Sequence, residues 1–463
     1  MSNNTQIQGA HNIVIQNVTD STLTLNVNGE VREIQNQLAE LKALLLEHQA
    51  QKVQYAEKIY NIEHITEANF GVVTSSRVFN GVLVRQLIEM LRDRPATLQF
   101  LSDVPEADRE KWETDSLHLK EAQSLLEKSF VWVISWELRR LFSIGKDRNI
   151  GMDAKINNYI SHCFSAYRLS LQLTNALLLS QLWDEKTRRP GLVANAPPVA
   201  DFFNKKRMLK LAELRQLFLS LLGLFRDNDL IFPLDREEWG DIGACLDPGS
   251  AFNQACTTLE DLQAINENEE TYGLGHCHTA EIALAEVLRA FPSFTRYQLV
   301  AMKRIEYEEA RNTEPRYIKD FSILERKDAR ALQRVLKYDN RPAVTYAIFF
   351  RNDRHAVNLF PFFLDYNALT NEQDFQIFVY ECRQDKSGLR YFSIKSEEEP
   401  TLSYRATKTD LREIQSEEQK NEEQKNIRID LVIKQFEEAM NTLLDTGERF
   451  EPMQDTIGKL DNI

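Results

Sequence analysis

Along this chain the spacing of apolar positions changes more than once. In residues 12–28, Ile13 and Ile15 alternate with polar neighbours, Val18 closes that run, and Leu23, Leu25 and Val27 then alternate with Thr22, Thr24 and Asn26. Period two is the strand signature, and Thr19-Asp20-Ser21 between the runs has turn chemistry. A lone hairpin is marginal in water and its unpaired edges invite further pairing, so the apolar stripe needs a cover. From Val31 the spacing becomes three and four: Val31, Ile34, Leu38, Leu41 and Leu45 mark the a/d seam of a coiled coil. His48 and Lys52 interrupt that register, which recovers at Tyr55, Ile59 and Ile62. Two readings stay open: an amphipathic helix docked on its own domain, or an oligomeric stalk whose strands assemble at the tip. The stalk is preferred because tip and seam then share one solution.

Beyond residue 77 the period is helical. Val82, Leu83, Leu87, Ile88 and Leu91 mark a helix that Pro95 should end. A second is expected over 125–142, a third over 156–178 and a fourth over 208–225, all apolar on more than one face and therefore burying each other. Residues 226–279 read as turn-rich. Helices are expected again at 279–291, with Thr279 as its N-cap, and at 297–312.

The C-terminal part reads differently. Segments 344–351, 356–363, 375–382, 389–395 and 401–405 are rich in Phe, Tyr, Val and Ile, and Asp385-Lys386-Ser387-Gly388 makes a hairpin turn. They predict an antiparallel meander, with helices at 327–337 and 427–444 packed on it. Between them Glu417-Glu418-Gln419-Lys420-Asn421 is repeated at once as residues 422–426, a solvated helix extension or linker with nothing apolar to bury. The fold class that follows is mainly α with an α+β C-terminal part. Its expected parts are a β-rich self-association tip (1–30), a coiled-coil-like helix (31–70), a helical domain (71–325) and an α+β domain (326–463) with a charged linker near 410–426.

Residues 8–18 (Gln8-Gly9-Ala10-His11-Asn12-Ile13-Val14-Ile15-Gln16-Asn17-Val18) and 21–29 resemble N-terminal modules of bacterial conflict-system proteins, the STAND-type NTPases and related immune scaffolds. The resemblance covers about the first 70 residues. It implies homotypic assembly through short Asn-rich β segments. The chain departs from the NTPase pattern, because no G-x-x-x-x-G-K-[ST] occurs in it, and no nucleotide switch is carried over.

Composition narrows the classes further. The 463 residues are 43% hydrophobic and 10% aromatic, a globular balance with room for a core. A net charge of −14 repels phosphate backbones, and the basic clusters (Arg139–Arg140, Lys186 with Arg188 and Arg189, and 205–207) are short, so nucleic-acid binding is not expected. Five cysteines without a C-x-x-C pair predict reduced thiols and a cytoplasmic setting. The opening residues lack the basic-then-apolar pattern of a signal peptide. The longest uncharged stretch, 169–183, contains Gln172, Thr174, Asn175 and Gln181. It falls short of a membrane span and reads as a buried helix.

The strongest local candidate for chemistry is Gly273-Leu274-Gly275-His276-Cys277-His278-Thr279-Ala280-Glu281, where His276, His278, Cys277 and Glu281 could offer metal ligands. A glycine loop entering a helix is the plainer reading. An anion site at that helix start is a further one. No G-x-S-x-G occurs, and residues 365–369 open like a calcium loop but carry Leu369 at a ligand position, which suits a loop between strands. No cofactor is expected. The reading that follows is a non-enzymatic self-assembling adaptor or scaffold of a bacterial defence or signalling system, a homo-oligomer with a further protein partner and no membrane association. The alternatives are a metal- or anion-dependent enzyme or sensor using 273–281, and a substrate or inhibitor of a neighbouring effector such as a protease.

Overall fold

The computed structural model describes residues 5–6, 12–18, 21–26, 79–105, 116–145, 150–230, 242–267, 271–308, 316–324, 332–339, 344–352, 355–369, 376–384, 388–394, 401–403 and 417–446. Residues 1–74 and 75–463 form two compact units. The first holds β1 (Thr5–Gln6), β2 (Asn12–Val18) and β3 (Ser21–Asn26) in a sheet of order β1-β3-β2. The expected hairpin is present: β2 and β3 are antiparallel, with Ile13 opposite Leu25 and Ile15 opposite Leu23. The apolar positions of the two runs therefore meet in register, the condition for a one-sided stripe. Strand β1, parallel to β3, is an addition that its two residues gave no pattern to foresee. Val27 and the seam positions Val31, Ile34, Leu38, Leu41 and Leu45 lie outside the described residues.

The second unit is mainly helical. Helix α1 (Gly81–Met90) buries Leu83, Val84, Leu87 and Ile88. It ends ahead of Pro95 as expected, but Pro95 then opens α2 (Pro95–Asp103), where its missing N–H costs nothing. The helix expected over 125–142 is two, α3 (Ser116–Ser129) and α4 (Trp132–Ile144). At the break the Val131 N–H leaves the helical ladder to donate to the Phe294 carbonyl, and the Ser135 hydroxyl donates to Phe130. Helix α5 (Met152–Arg188) runs 37 residues, about 55 Å at 1.5 Å per residue. Its segment from Ala166 to Leu182 is buried almost all round, because α4, α7 (Leu211–Asp227), α9 (Leu274–Arg289) and α12 (Glu417–Leu444) pack against it. A short α6 (Pro197–Asn204) lies between α5 and α7, with Pro197 and Pro198 in its first turn, where proline is tolerated. The stretch that read as turn-rich contains α8 (Ala251–Glu267), paired with α9. Its apolar side is carried by Phe252, Ala255, Cys256, Leu259 and Leu262, and small residues weakened the pattern.

After a single turn, α10 (Ser293–Arg296), the chain forms strands. Five of them, β4 (Gln298–Glu308), β5 (Arg316–Ile323), β6 (Leu332–Asp339), β7 (Ile348–Arg351) and β8 (Ala356–Asn358), make an antiparallel sheet of order β6-β5-β4-β7-β8. Gln298–Glu308 and Leu332–Asp339 are thus strands where helices were expected at 297–312 and 327–337. Leu299, Val300, Ala301 and Met302 are consecutive buried residues, a run that periodicity assigns to neither state. Pairing with β5 on one side and β7 on the other decides for strand. The single expected meander is likewise divided. Strands β9 (Phe363–Asp365), β10 (Ile377–Arg383), β11 (Gly388–Ser393) and β12 (Thr401–Ser403) make a second antiparallel sheet, linked to the first at Ala347 and Leu364. Residues Ile377 to Cys382 are buried on both faces of β10. One cover is an aromatic cluster in which Phe202 and Phe203 of α6, Phe362, Tyr380 and Phe436 of α12 meet at 4.5–6.2 Å between ring centroids. One hydrophobic core thus runs from Phe79 to Leu444 through both helices and sheets. No helix among the described residues is long and apolar enough to cross a membrane.

Candidate functional site

The predicted 273–281 segment is helix from Leu274 onward, not an extended loop. At 100° per residue His276 and His278 sit about 200° apart, so the two imidazoles cannot face one ion. His276 Nδ1 instead accepts the Gly273 N–H at 3.0 Å, closing the first turn. Gly273, not Thr279, is the N-cap, and the Thr279 hydroxyl donates to the Gly275 carbonyl one turn back. Cys277 is buried, 1% exposed. The proposed ligand set His276, His278, Cys277 and Glu281 is therefore not assembled. Among the described residues no group of three or more His, Cys, Asp or Glu is placed to hold a metal.

Glu281 has a different task. Its side chain turns inward, and its two oxygens accept the backbone N–H groups of Asn80 (2.9 Å) and Leu83 (2.8 Å) at the start of α1. Those are N-terminal donors that the helix itself cannot satisfy, so α9 supplies the cap of α1 from some 200 residues away in sequence. Asn80 adopts the left-handed region at φ 75°, which asparagine tolerates better than most side chains. Its amide then reaches two further elements, donating to the Leu141 carbonyl of α4 (3.1 Å) and accepting the Tyr159 hydroxyl of α5 (2.9 Å). Four helices are joined at one buried carboxylate. Burial pushes the Glu281 carboxyl up to about 6 against the pull of the N–H donors. The nearby Cys163 and Cys277 thiols are pushed up as well, first by burial and then by the Glu281 charge, Cys277 to about 12. Thiols held protonated in this way are poor nucleophiles.

A second polar cluster lies where α5 meets β10. Arg168, Gln172 and Asn175 follow each other at i, i+4 and i+7 and share one face of α5. They line a small cavity with Phe202, Leu209, Tyr380 and Glu381. The Arg168 guanidinium donates to the Leu209 carbonyl (2.8 Å) and the Asn175 amide nitrogen to the Leu214 carbonyl (3.0 Å). Burial lowers the affinity of Arg168 for its proton, and the negative charge of Glu381 works against that. Glu381 itself pairs with Arg390 at 3.3 Å. A third cluster, Tyr167–Glu260–Arg215, ties α5, α8 and α7 together through bonds of 3.0 and 2.7 Å to the one carboxylate.

The calcium-like start at 365 is also absorbed by structure. Asp365 ends β9, fully buried, and accepts the Gln376 N–H at 3.0 Å, while Tyr366–Leu369 form one helical turn, α11. Neither Asn80, Tyr159 nor the Arg168–Gln172–Asn175 stripe stood out as a site from sequence. The stripe did leave a signal, polar residues at helical spacing within an otherwise apolar helix. The Asn80–Glu281 contact left none. No protein-family model matches the chain, and neither does any curated protein or solved structure.

Proposed function

We propose that this chain is a non-enzymatic, self-assembling scaffold or adaptor. In it the N-terminal strands and the heptad segment join copies of the chain, and the large helical unit with its two sheets contacts a further protein. The resemblance of residues 8–29 to modules of bacterial conflict-system proteins supports placing it in a defence or signalling assembly, in the cytoplasm. The observation that carries the reading is the register of the N-terminal sheet, with Ile13 opposite Leu25 and Ile15 opposite Leu23. Strands of two, seven and six residues offer little core of their own. Burying four such side chains against another copy is worth roughly 1.5–3 kcal/mol each.

Sedimentation velocity on the full chain across a wide concentration range tests this. The reading expects an oligomer that an Ile13→Asp/Leu25→Asp variant returns to a monomer with the same helical circular dichroism. A wild-type chain that stays monomeric at every concentration ends the proposal.

A further inference from the structure

The cavity between α5 and the second sheet measures about 10 Å³. That is the space of one water molecule, whereas pockets for metabolites run to several hundred Å³. Its polar lining is unbalanced in one particular way. Gln172 Oε1 and Asn175 Oδ1 are buried carbonyl oxygens without a hydrogen-bond donor among the described residues, in side chains 8% and 1% exposed. The orientation of Asn175 is fixed, because its nitrogen must be the atom that donates to Leu214. Arg168, on the same face and in the same lining, spends one of its five N–H donors on the Leu209 carbonyl.

Buried acceptors left without a donor lose their hydration with nothing in return, so native proteins rarely keep them. Two orphan acceptors and a spare donor around a space for one small molecule define its chemistry. The guest must give two hydrogens and accept one. A cation would satisfy the two carbonyls, but the Arg168 charge beside them repels it, and Glu381, the one carboxylate of the lining, is already paired with Arg390. We infer that this cavity is a specific site for one internal water, which donates to Gln172 Oε1 and Asn175 Oδ1 and accepts from the Arg168 guanidinium. The water completes the seam between the central helix and β10, the strand whose Tyr380 is also covered by Phe202 of α6 and Phe436 of α12. This site is independent of the assembly proposed for the N-terminus.

A high-resolution crystal structure of the full chain decides the matter. One solvent peak within about 3.2 Å of both oxygens is the expected result. No peak there, or a protein donor on either oxygen, overturns it. The variants Gln172→Met and Asn175→Leu add a measurement in solution by urea denaturation. If both acceptors serve one guest, the double variant shifts the midpoint by clearly less than the sum of the two single shifts. Additive shifts contradict a shared water.

Discussion

The carboxylate that caps α1 from α9 makes a prediction whose sign runs against the usual behaviour of acidic residues. Glu281 is 2% exposed, and its carboxyl is raised from an ordinary 4.5 to about 6 in the fold. The folded chain therefore holds this proton more tightly than the unfolded chain does. The stability Glu281 contributes is fully present below pH 4.5 and is lost as pH rises through 6. A shift of about 1.5 units is worth about 2 kcal/mol in total, and linkage places about 1 kcal/mol of it between pH 7 and pH 5. The perturbation is Glu281→Gln, close to isosteric, neutral at every pH and still able to accept one of the two N–H bonds. Urea denaturation of wild type and variant is followed by tryptophan fluorescence, since Trp132, Trp136 and Trp183 lie in the helical unit. Both proteins share every other titrating group, so the difference between their unfolding free energies isolates Glu281. The wild type should gain about 1 kcal/mol on the variant as pH falls from 7 to 5. A difference that is flat, or that moves the other way, refutes the argument that burial outweighs the N–H donors at this carboxylate.

Other expectations follow from the same structure. Glu213, held well below the usual carboxylate range by Arg207 first and also by Lys205, should show the opposite sign. Its contribution is present above pH 4.5 and lost as pH falls below it, so Glu213→Gln should narrow its deficit against wild type in acid, and added salt should shrink the effect at neutral pH because both partners are partly exposed. All five cysteines are buried and none is in a disulfide, and Cys256 and Cys277, at about 12 instead of 9, present about a thousandfold fewer thiolates at neutral pH. A thiol reagent should therefore label the native chain only at the rate of opening, and rapid labelling of either cysteine would contradict its burial. Phe218 is fully buried against Phe252 and Phe291, each at 5.4 Å between centroids, and Phe218→Ala should cost about 3–5 kcal/mol in chemical denaturation.

The sequence alone determined those elements whose own residues repeat with a clear period. The hairpin at 12–26 and the helices around 81–90, 152–188 and 211–227 stand where alternation or 3.6-residue spacing put them, and the strands at 377–383 and 388–393 where enrichment in Phe, Tyr, Val and Ile did. The uncharged stretch at 169–183 was legible as a buried helix because its few polar residues are short of charge and long on apolar neighbours. Period fails where a segment is buried on every side. β4 carries four consecutive buried residues, and only its hydrogen-bonded neighbours on two flanks make it a strand and not the helix expected there. It fails again where a break is paid for from afar: α3 and α4 separate because the Val131 N–H finds the Phe294 carbonyl, a partner no local pattern announces. The same holds for polar sites. His276, Cys277, His278 and Glu281 are neighbours in the chain, yet helical geometry disperses them. Glu281 belongs instead with Asn80, Leu83 and Tyr159, brought together by the packing of α9 and α5 against α1. A chain fixes its own hydrogen bonds within a few residues. Which buried donor meets which acceptor across 200 residues is set by how the helices pack.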